Sequence, residues 1–367
     1  MNSCEIIINK NILLNKLKTI KFKNKPSQND FNINNNKNNE NNENNYLISY
    51  LNFDDLNYSA INDCKLLFDY LSMKDTENLI NFLVKKSPFQ LQKIKEFYNK
   101  NYFKQNDKNF LELTEKIKNL FNKDFYLTTK ILFENPFVFN CNEIKTLKIK
   151  KIINIIITNS NSQIKLLKIY FKNLNNINLL DFIKNNLKDG LIKEILLFLI
   201  EKGRNSNSFI NYSNCNKIIN FFIKNSSEND DYLNENREIM IDFLAKSSKN
   251  DLIYIKKTIE NKINSTLLKK HFNNFREKEI FLIETIFNYF ENKYFFYANE
   301  IYSATKGLGT NDELLIKNVI IVHNLKISDL VKKNFLKITK KESLLENIKD
   351  DTSGDYFQLL KSLIETN

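Results

Sequence analysis

Apolar residues recur at helical spacing along most of the chain, beginning near residue 46. One run comprises Ala60, Ile61, Cys64, Leu67, Phe68 and Leu71, and another comprises Ile327, Leu330, Val331, Phe335 and Ile338. Positions spaced i, i+3, i+4 and i+7 form one stripe on a helix that packs against a core, whereas the alternation typical of strands is rare here. The pattern therefore predicts an all-α protein.

The chain also contains internal sequence repeats. Apolar helices that end in a polar turn are predicted to close at four places, within 131–135, 198–202, 289–292 and 363–366. A Ser/Asn turn before a basic amphipathic helix recurs near residues 87, 159, 247 and 323. These recurrences predict four stacked repeats of four or five short helices, each burying the apolar faces of its neighbours. The predicted repeats span 46–135, 136–205, 206–293 and 294–367.

The N-terminal segment 1–45 has a different character. Residues 24–45 are mostly Asn, and such a polar run buries too little surface to offset its ordering entropy. We therefore expect a flexible, low-complexity tail. The apolar stretch within 6–20 is either a short amphipathic helix or strand that docks on something, or a loosely ordered part of the same tail.

Composition narrows the function classes. The three prolines and five glycines leave few helix breakers. The formal charge of +12 favours anionic partners, either nucleic acid or acidic lipid surfaces, although lysine also serves as a filler on solvated faces. No aromatic-basic recognition motif supports nucleic acid, so we do not expect it as a partner.

Cysteine and histidine usage excludes several kinds of site. The four cysteines lie far apart with no C-x-x-C pair, which argues against zinc and a disulfide scaffold and fits a reducing compartment. With only two histidines, and no nucleophile, base or phosphate-loop constellation, we expect no enzyme. No apolar run is long enough to span a membrane, and the first residues do not read as a secretory signal.

Two turns in the last repeat contain the residues that are candidates for binding a metal ion. One is Lys306-Gly307-Leu308-Gly309-Thr310, followed by Asn311-Asp312-Glu313, and the other is Asp350-Asp351-Thr352-Ser353-Gly354-Asp355-Tyr356. Three of the five glycines fall in these two turns. A glycine loop can direct several carbonyl oxygens to one point, and a carboxylate adds charge, which together suit the oxygen-rich shell of calcium.

Both turns also have purely structural interpretations. Thr310 and Glu313 fit the S/T-x-x-E capping box of a following helix. Asp351 is a suitable N-cap for the final helix. The concentration of glycine in a chain so poor in it favours the calcium interpretation.

The paired motifs resemble the annexin family, whose repeat carries a K-G-x-G-T-D-E loop between its first two helices and a D-T-S-G-D-Y-type turn further on. The 40 residues between Thr310 and Asp351 make the spacing slightly long. The resemblance implies an all-α superhelical array of four repeats of about five helices each. It implies calcium as the cofactor, held by the carbonyls of Thr305, Gly307 and Gly309 and by the side chain of Asp351. The family usually has Met at the position of Thr305, which matters little if only the carbonyl is used.

The resemblance further implies a cytoplasmic, non-enzymatic protein that binds acidic phospholipid surfaces peripherally, on the cytoplasmic face of membranes. It is specific only in about the last 75 residues. The corresponding loops at 71–77 and 142–146 lack glycine, and their partner turns lack a suitably placed carboxylate. The acidic insertion 226–231 is either a loose cation site or a solvated loop.

Two other functions stay open. One is a helical-repeat scaffold for protein–protein interaction that keeps its last loop only for shape. The other is a basic membrane binder that needs no calcium. The sequence names no protein partner for either.

Overall fold

A computed structural model describes residues 58–102, 111–224, 236–266, 271–272, 275–307, 309–340 and 342–366. The predictions for the segment 1–45 and for the insertion 226–231 lie outside the described residues. The helices given below all belong to one unit that spans residues 57–367.

Within the described ranges the chain forms nineteen α-helices, one π-helical turn and no strand, which confirms the all-α prediction. The first ten helices are α1 (Ile61–Met73), α2 (Thr76–Leu83), α3 (Pro88–Asn101), α4 (Leu113–Leu120), α5 (Lys123–Leu132), α6 (Pro136–Lys145), α7 (Ile149–Thr158), α8 (Asn161–Asn175), α9 (Leu179–Asn186) and α10 (Leu191–Glu201).

The remaining helices are α11 (Tyr212–Lys224), α12 (Arg237–Ile241) with the π turn Asp242–Lys246, α13 (Lys249–Ile263), α14 (Glu277–Glu291), α15 (Lys293–Thr305), α16 (Asp312–Asn324), α17 (Ser328–Thr339), α18 (Leu344–Asp351) and α19 (Gly354–Glu365). The prediction of several short helices per repeat agrees with this succession. The exact repeat boundaries stay a prediction.

In chain order the helices form four groups, α1–α5, α6–α10, α11–α14 and α15–α19. A recurrent serine starts the third helix of each of the first three helix groups. Ser87, Ser160 and Ser248 each accept a hydrogen bond from the backbone N–H three residues on, and that third residue bonds back to the serine backbone. This reciprocal capping box satisfies donors that a helix start otherwise leaves unpaired. Three of the four Ser/Asn turns predicted from the sequence therefore mark helix starts. The fourth, near residue 323, is the end of α16, and α17 begins at Ser328 with no side-chain cap.

The first and last helix groups share one hydrophobic core. Side chains from α1–α5 and α15–α19 are buried in the same cluster. The contact is made chiefly by α19, which packs against α2 and α5, and by α16, which packs against α5. The two middle groups pack together through α7 and α10, which contact α14.

Polar side chains join α7 to α16 and α15. Lys151 donates to Glu143 at 3.0 Å and forms an ion pair with Glu313 near the start of α16. Asn154 donates to Glu300 at 3.3 Å. The first turns of α7 and α16 therefore lie side by side, which fixes the loops that precede them at the same end of the molecule.

Asp251 is a buried carboxylate held entirely by hydrogen bonds. It is 2% exposed and accepts from the Asn211 N–H at 2.8 Å and from the Ser248 N–H and hydroxyl at 3.1 and 2.8 Å. Burial alone would raise its pKa, but these hydrogen bonds outweigh burial and lower the pKa below its ordinary value.

We expect Asp251→Asn to destabilise the fold by about 2–4 kcal/mol at neutral pH, because the new amide presents N–H groups to existing donors. Because the folded pKa is depressed, the contribution of Asp251 is complete above the pKa of an unfolded Asp. It is lost as pH falls through the folded pKa. Urea unfolding of wild type and variant at pH 7 and at pH 3 measures this difference.

The matched control is Asp189→Asn, since the Asp189 side chain is almost fully exposed and forms an ion pair with Lys193 on the surface. That change should leave the unfolding free energy nearly unchanged, because an exposed ion pair contributes little to stability. An Asp251 variant as stable as this control would show that the buried network contributes little.

Candidate calcium site

The loop between α15 and α16 consists of residues 306–311 and is closed at its base. The Asn311 N–H donates to the Ala304 carbonyl at 2.8 Å. Inside the loop, Gly307 and Gly309 have φ of 115° and 86°. Apart from the adjacent residues in the chain, nothing lies within 4 Å of where a Cβ would stand on either residue, so the backbone conformation, rather than crowding, calls for glycine.

The carbonyl oxygens of Thr305, Gly307 and Gly309 accept no hydrogen bond from any described residue. Unbonded carbonyls on a glycine loop are the oxygen donors that calcium prefers. The chemistry of this donor set fits the ion that the sequence predicts.

Thr305 is buried, and its side chain is turned away from the role of ligand. Its hydroxyl contacts the Tyr302 carbonyl at 3.1 Å and the Asn347 side chain on α18. Only the main-chain oxygen of Thr305 remains for a metal, as the sequence analysis assumed. Asn347, which anchors the loop to α18, was missed, although it lies one helical turn before Asp351 on the same helix.

Asp351 is the last residue of α18 and lies at the glycine loop. Its backbone carbonyl accepts from the Thr310 hydroxyl at 3.4 Å, so the two turns singled out in the sequence come together. Burial, followed by the charges of Asp350, Glu342 and Asp312, raises the pKa of the Asp351 carboxyl. Among the described residues none donates to or pairs with this carboxylate, which leaves its negative charge uncompensated.

The structural interpretations of the two turns are wrong. The N-cap of α16 is Asn311, which accepts from the Leu314 N–H at 3.2 Å, while Thr310 bonds to Asp351. The N-cap of α19 is Ser353, not Asp351. Neither Thr310 nor Asp351 is therefore needed to start a helix.

The corresponding loops of the first two helix groups are too short for the same arrangement. α1 and α2 are joined by Lys74 and Asp75 alone, and α6 and α7 by residues 146–148. Later in the same two groups, the eight-residue helices α4 and α9 end at Leu120 and Asn186, in the place that Asp351 has on α18. Both groups thus lack the carbonyl loop as well as the carboxylate.

The described part of the chain contains no group of three or more His, Cys, Asp or Glu side chains placed to hold a metal ion. The candidate site depends instead on main-chain oxygens with a single carboxylate. None of the described helices is both long and apolar enough to cross a bilayer.

The family model for annexins matches residues 296–363. Human annexin A8 is 38% identical over 74 residues, which cover 20% of this chain and 22% of that protein. The chain thus spans about a fifth to a third of the length of the curated annexins it matches.

Solved annexin structures match over much more of the chain. Chicken annexin V in complex with zinc superposes with a TM-score of 0.72 at 18% identity, covering 85% of this chain and 96% of that one. Calcium-bound annexin (Sm)1 gives a TM-score of 0.66 at 19% identity, covering 84% and 90%. At these identities the superpositions establish the fold, while the family match rests on the last repeat. The comparisons thus support a divergent annexin, with annexin sequence in the last repeat and the annexin fold across the described residues.

Proposed function

We propose that this protein binds acidic phospholipid surfaces through one calcium ion, held by the carbonyls of Thr305, Gly307 and Gly309 and by the carboxylate of Asp351. Annexins in general are non-enzymatic, calcium-dependent phospholipid-binding proteins. The observation that carries the proposal is the approach of Asp351 to the glycine loop, where its backbone carbonyl accepts from the Thr310 hydroxyl, together with loop carbonyls that accept no hydrogen bond from a described residue.

The donor set accounts for the dependence on lipid. One carboxylate and three neutral oxygens leave net positive charge on the ion and open coordination positions. A lipid phosphate can fill those positions, so calcium affinity is weak in solution and rises at a membrane. By linkage, calcium raises the affinity for lipid by the same factor.

The proposal includes a place for the protein in the cell. A reversible calcium bridge needs a compartment where calcium rises and falls and an anionic leaflet to bind. We infer a peripheral location on the cytoplasmic face of membranes, with no transmembrane anchor required for the interaction.

Asp351→Asn should abolish most calcium-dependent binding to acidic vesicles, because it removes the only charged ligand while conserving side-chain shape. Co-sedimentation with phosphatidylserine vesicles, with and without calcium, measures the loss, and circular dichroism checks that the helices persist. Gly309→Val should have the same effect by another route, since a β-branched residue resists a φ of 86°.

Asp189→Asn is the control, because this exposed carboxylate belongs to a helix group without the glycine loop. It should leave calcium-dependent binding intact. Calcium-dependent binding that persists undiminished in Asp351→Asn would overturn the proposed site and favour the scaffold function. A graded loss would indicate a second site elsewhere in the chain.

We also expect a part of membrane binding that needs no calcium, driven by lysines and the +12 balance. Each Lys near an anionic surface contributes about 1 kcal/mol, an effect that fades within a Debye length. Raising salt from low to physiological and higher concentrations should remove this electrostatic part and largely conserve the calcium-dependent part. Sedimentation across a salt series separates them, and an equal decline of both would contradict the two-part description.

A further inference from the structure

The loop between α1 and α2 occupies in the first helix group the place that the glycine loop has in the last. Near the end of α1, Ser72 accepts from Lys116 at 3.5 Å. At the end of α15, Thr305 contacts Asn347. Lys116 and Asn347 are each the fourth residue of an eight-residue helix. Each helix end therefore contacts the fourth residue of the eight-residue helix in its own group, so the loops that follow the two helix ends occupy corresponding places.

The loop between α6 and α7 lies beside the glycine loop. Lys151, in the first turn of α7, pairs with Glu313, in the first turn of α16. The pKa of Glu313 is lowered chiefly by the hydrogen bond from Lys151, and the charge of Lys148 contributes to the same shift. Since the loops 146–148 and 306–311 immediately precede these two turns, they share one end of the molecule.

The first turns of α5 and α14 lie at the same end of the molecule as these two loops. Burial and the nearby charge of Asp312 raise the pKa of Asp124, which places the first turn of α5 near that of α16. Lys150 donates to Glu277, the first residue of α14, at 2.7 Å. The loops of the first, second and last helix groups thus face a common side, on which the proposed calcium bridge would contact lipid.

Two apolar side chains are exposed to solvent at these short loops. Met73 is the last residue of α1, next to its loop, and Leu147 lies within the loop 146–148. Met73 is 76% exposed and Leu147 is 41% exposed. Each is followed by an exposed lysine, Lys74 and Lys148. Lys74 and Leu147 also hold φ of 54° and 55°, a conformation that non-glycine residues adopt at a cost.

No buried contact in the described fold accounts for Met73 and Leu147 at these turns. An apolar side chain beside a lysine suits the interface of an anionic bilayer, where the one enters the acyl boundary and the other contacts the headgroups. The surrounding loops make this side continuous with the proposed calcium contact.

We propose that Met73 and Leu147 insert into the headgroup–acyl boundary of an anionic bilayer when the protein docks, without calcium ions of their own. The inference rests on the proposed function for the orientation of the docked protein. It assigns the first two helix groups an apolar contact in place of a calcium bridge.

Because the chain contains no tryptophan, a single introduced Trp reports on its own position. Met73→Trp and Leu147→Trp should each shift their emission to shorter wavelength with phosphatidylserine vesicles and calcium, and brominated lipid should quench them. Phe209→Trp is the control, because Phe209 is 83% exposed but follows the far end of α10.

The position of that control follows from the course of α10. The helix begins at the same end as the loops, since Gly190 lies against Arg276 at the start of α14. It then runs for 11 residues, or about 16 Å, before the segment that carries Phe209. Its Trp emission should stay that of an exposed residue when vesicles are added.

A second measurement compares the affinities of variants for acidic vesicles. The double variant Met73→Ser/Leu147→Ser should weaken binding to acidic vesicles in calcium about tenfold, through the apolar area it removes. Phe209→Ser should not weaken it. Water-like emission at both reporters, with unchanged affinity in the double variant, would overturn the inference while leaving the calcium bridge intact.

The same reporters distinguish failure of the proposed calcium bridge from failure of the loop insertion. If wild type shows no calcium-dependent binding, the reporters are measured with purely anionic vesicles at low salt. A blue shift at positions 73 and 147 there supports insertion of the loops without the calcium bridge. Unshifted emission under those conditions overturns the insertion as well.

Discussion

The packing of the last helix group on the first is the interaction on which the rest of the structure depends. In an open helical array each unit contacts only its sequence neighbours. Here α19 and α16 bury their apolar faces against α2 and α5, from the opposite end of the chain. This contact places the start of α16, and therefore the glycine loop before it, next to loops of other groups.

The candidate site combines a loop formed by residues close in sequence with a carboxylate from a more distant part of the chain. The glycine loop is local, because two left-handed glycines and one closing hydrogen bond define it. The approach of Asp351 is longer in range and requires α18 to pack so that Asn347 and Thr305 meet. A divergent chain can therefore keep the loop motif yet lose the site, as a displaced α18 would withdraw the carboxylate.

The helices could be predicted from the sequence, because they depend on the local spacing of apolar residues. Helical spacing identified the helices that carry Cys64, Leu67 and Leu71, which are buried as expected. Ile61 and Leu330, assigned to the same stripes, are exposed, because periodicity defines a helix face only to within about one position and does not say where the packing ends.

The local sequence pattern was misleading where a side chain that could cap its own helix instead binds a residue from a distant part of the chain. The alternative interpretation of the S/T-x-x-E pattern was that Thr310 and Glu313 cap α16. In the structure Lys151, from another helix group, pairs with Glu313, and the backbone of Asp351 engages Thr310, so Asn311 becomes the cap. No local pattern in the sequence could have revealed those partners. The metal-binding role of the site residues remains a proposal for the same reason, since it depends on lipid and ion as well as on the chain.

The shared core has a consequence for synthesis on the ribosome. The first helix group leaves the exit tunnel long before α19 exists, with more than 200 residues still to be added between α5 and the end of the chain. At about 5–20 residues per second, that interval is on the order of 10–50 s. During this time the apolar faces of α2 and α5 lack their native cover, which makes the nascent chain a client for chaperones until its last helix emerges.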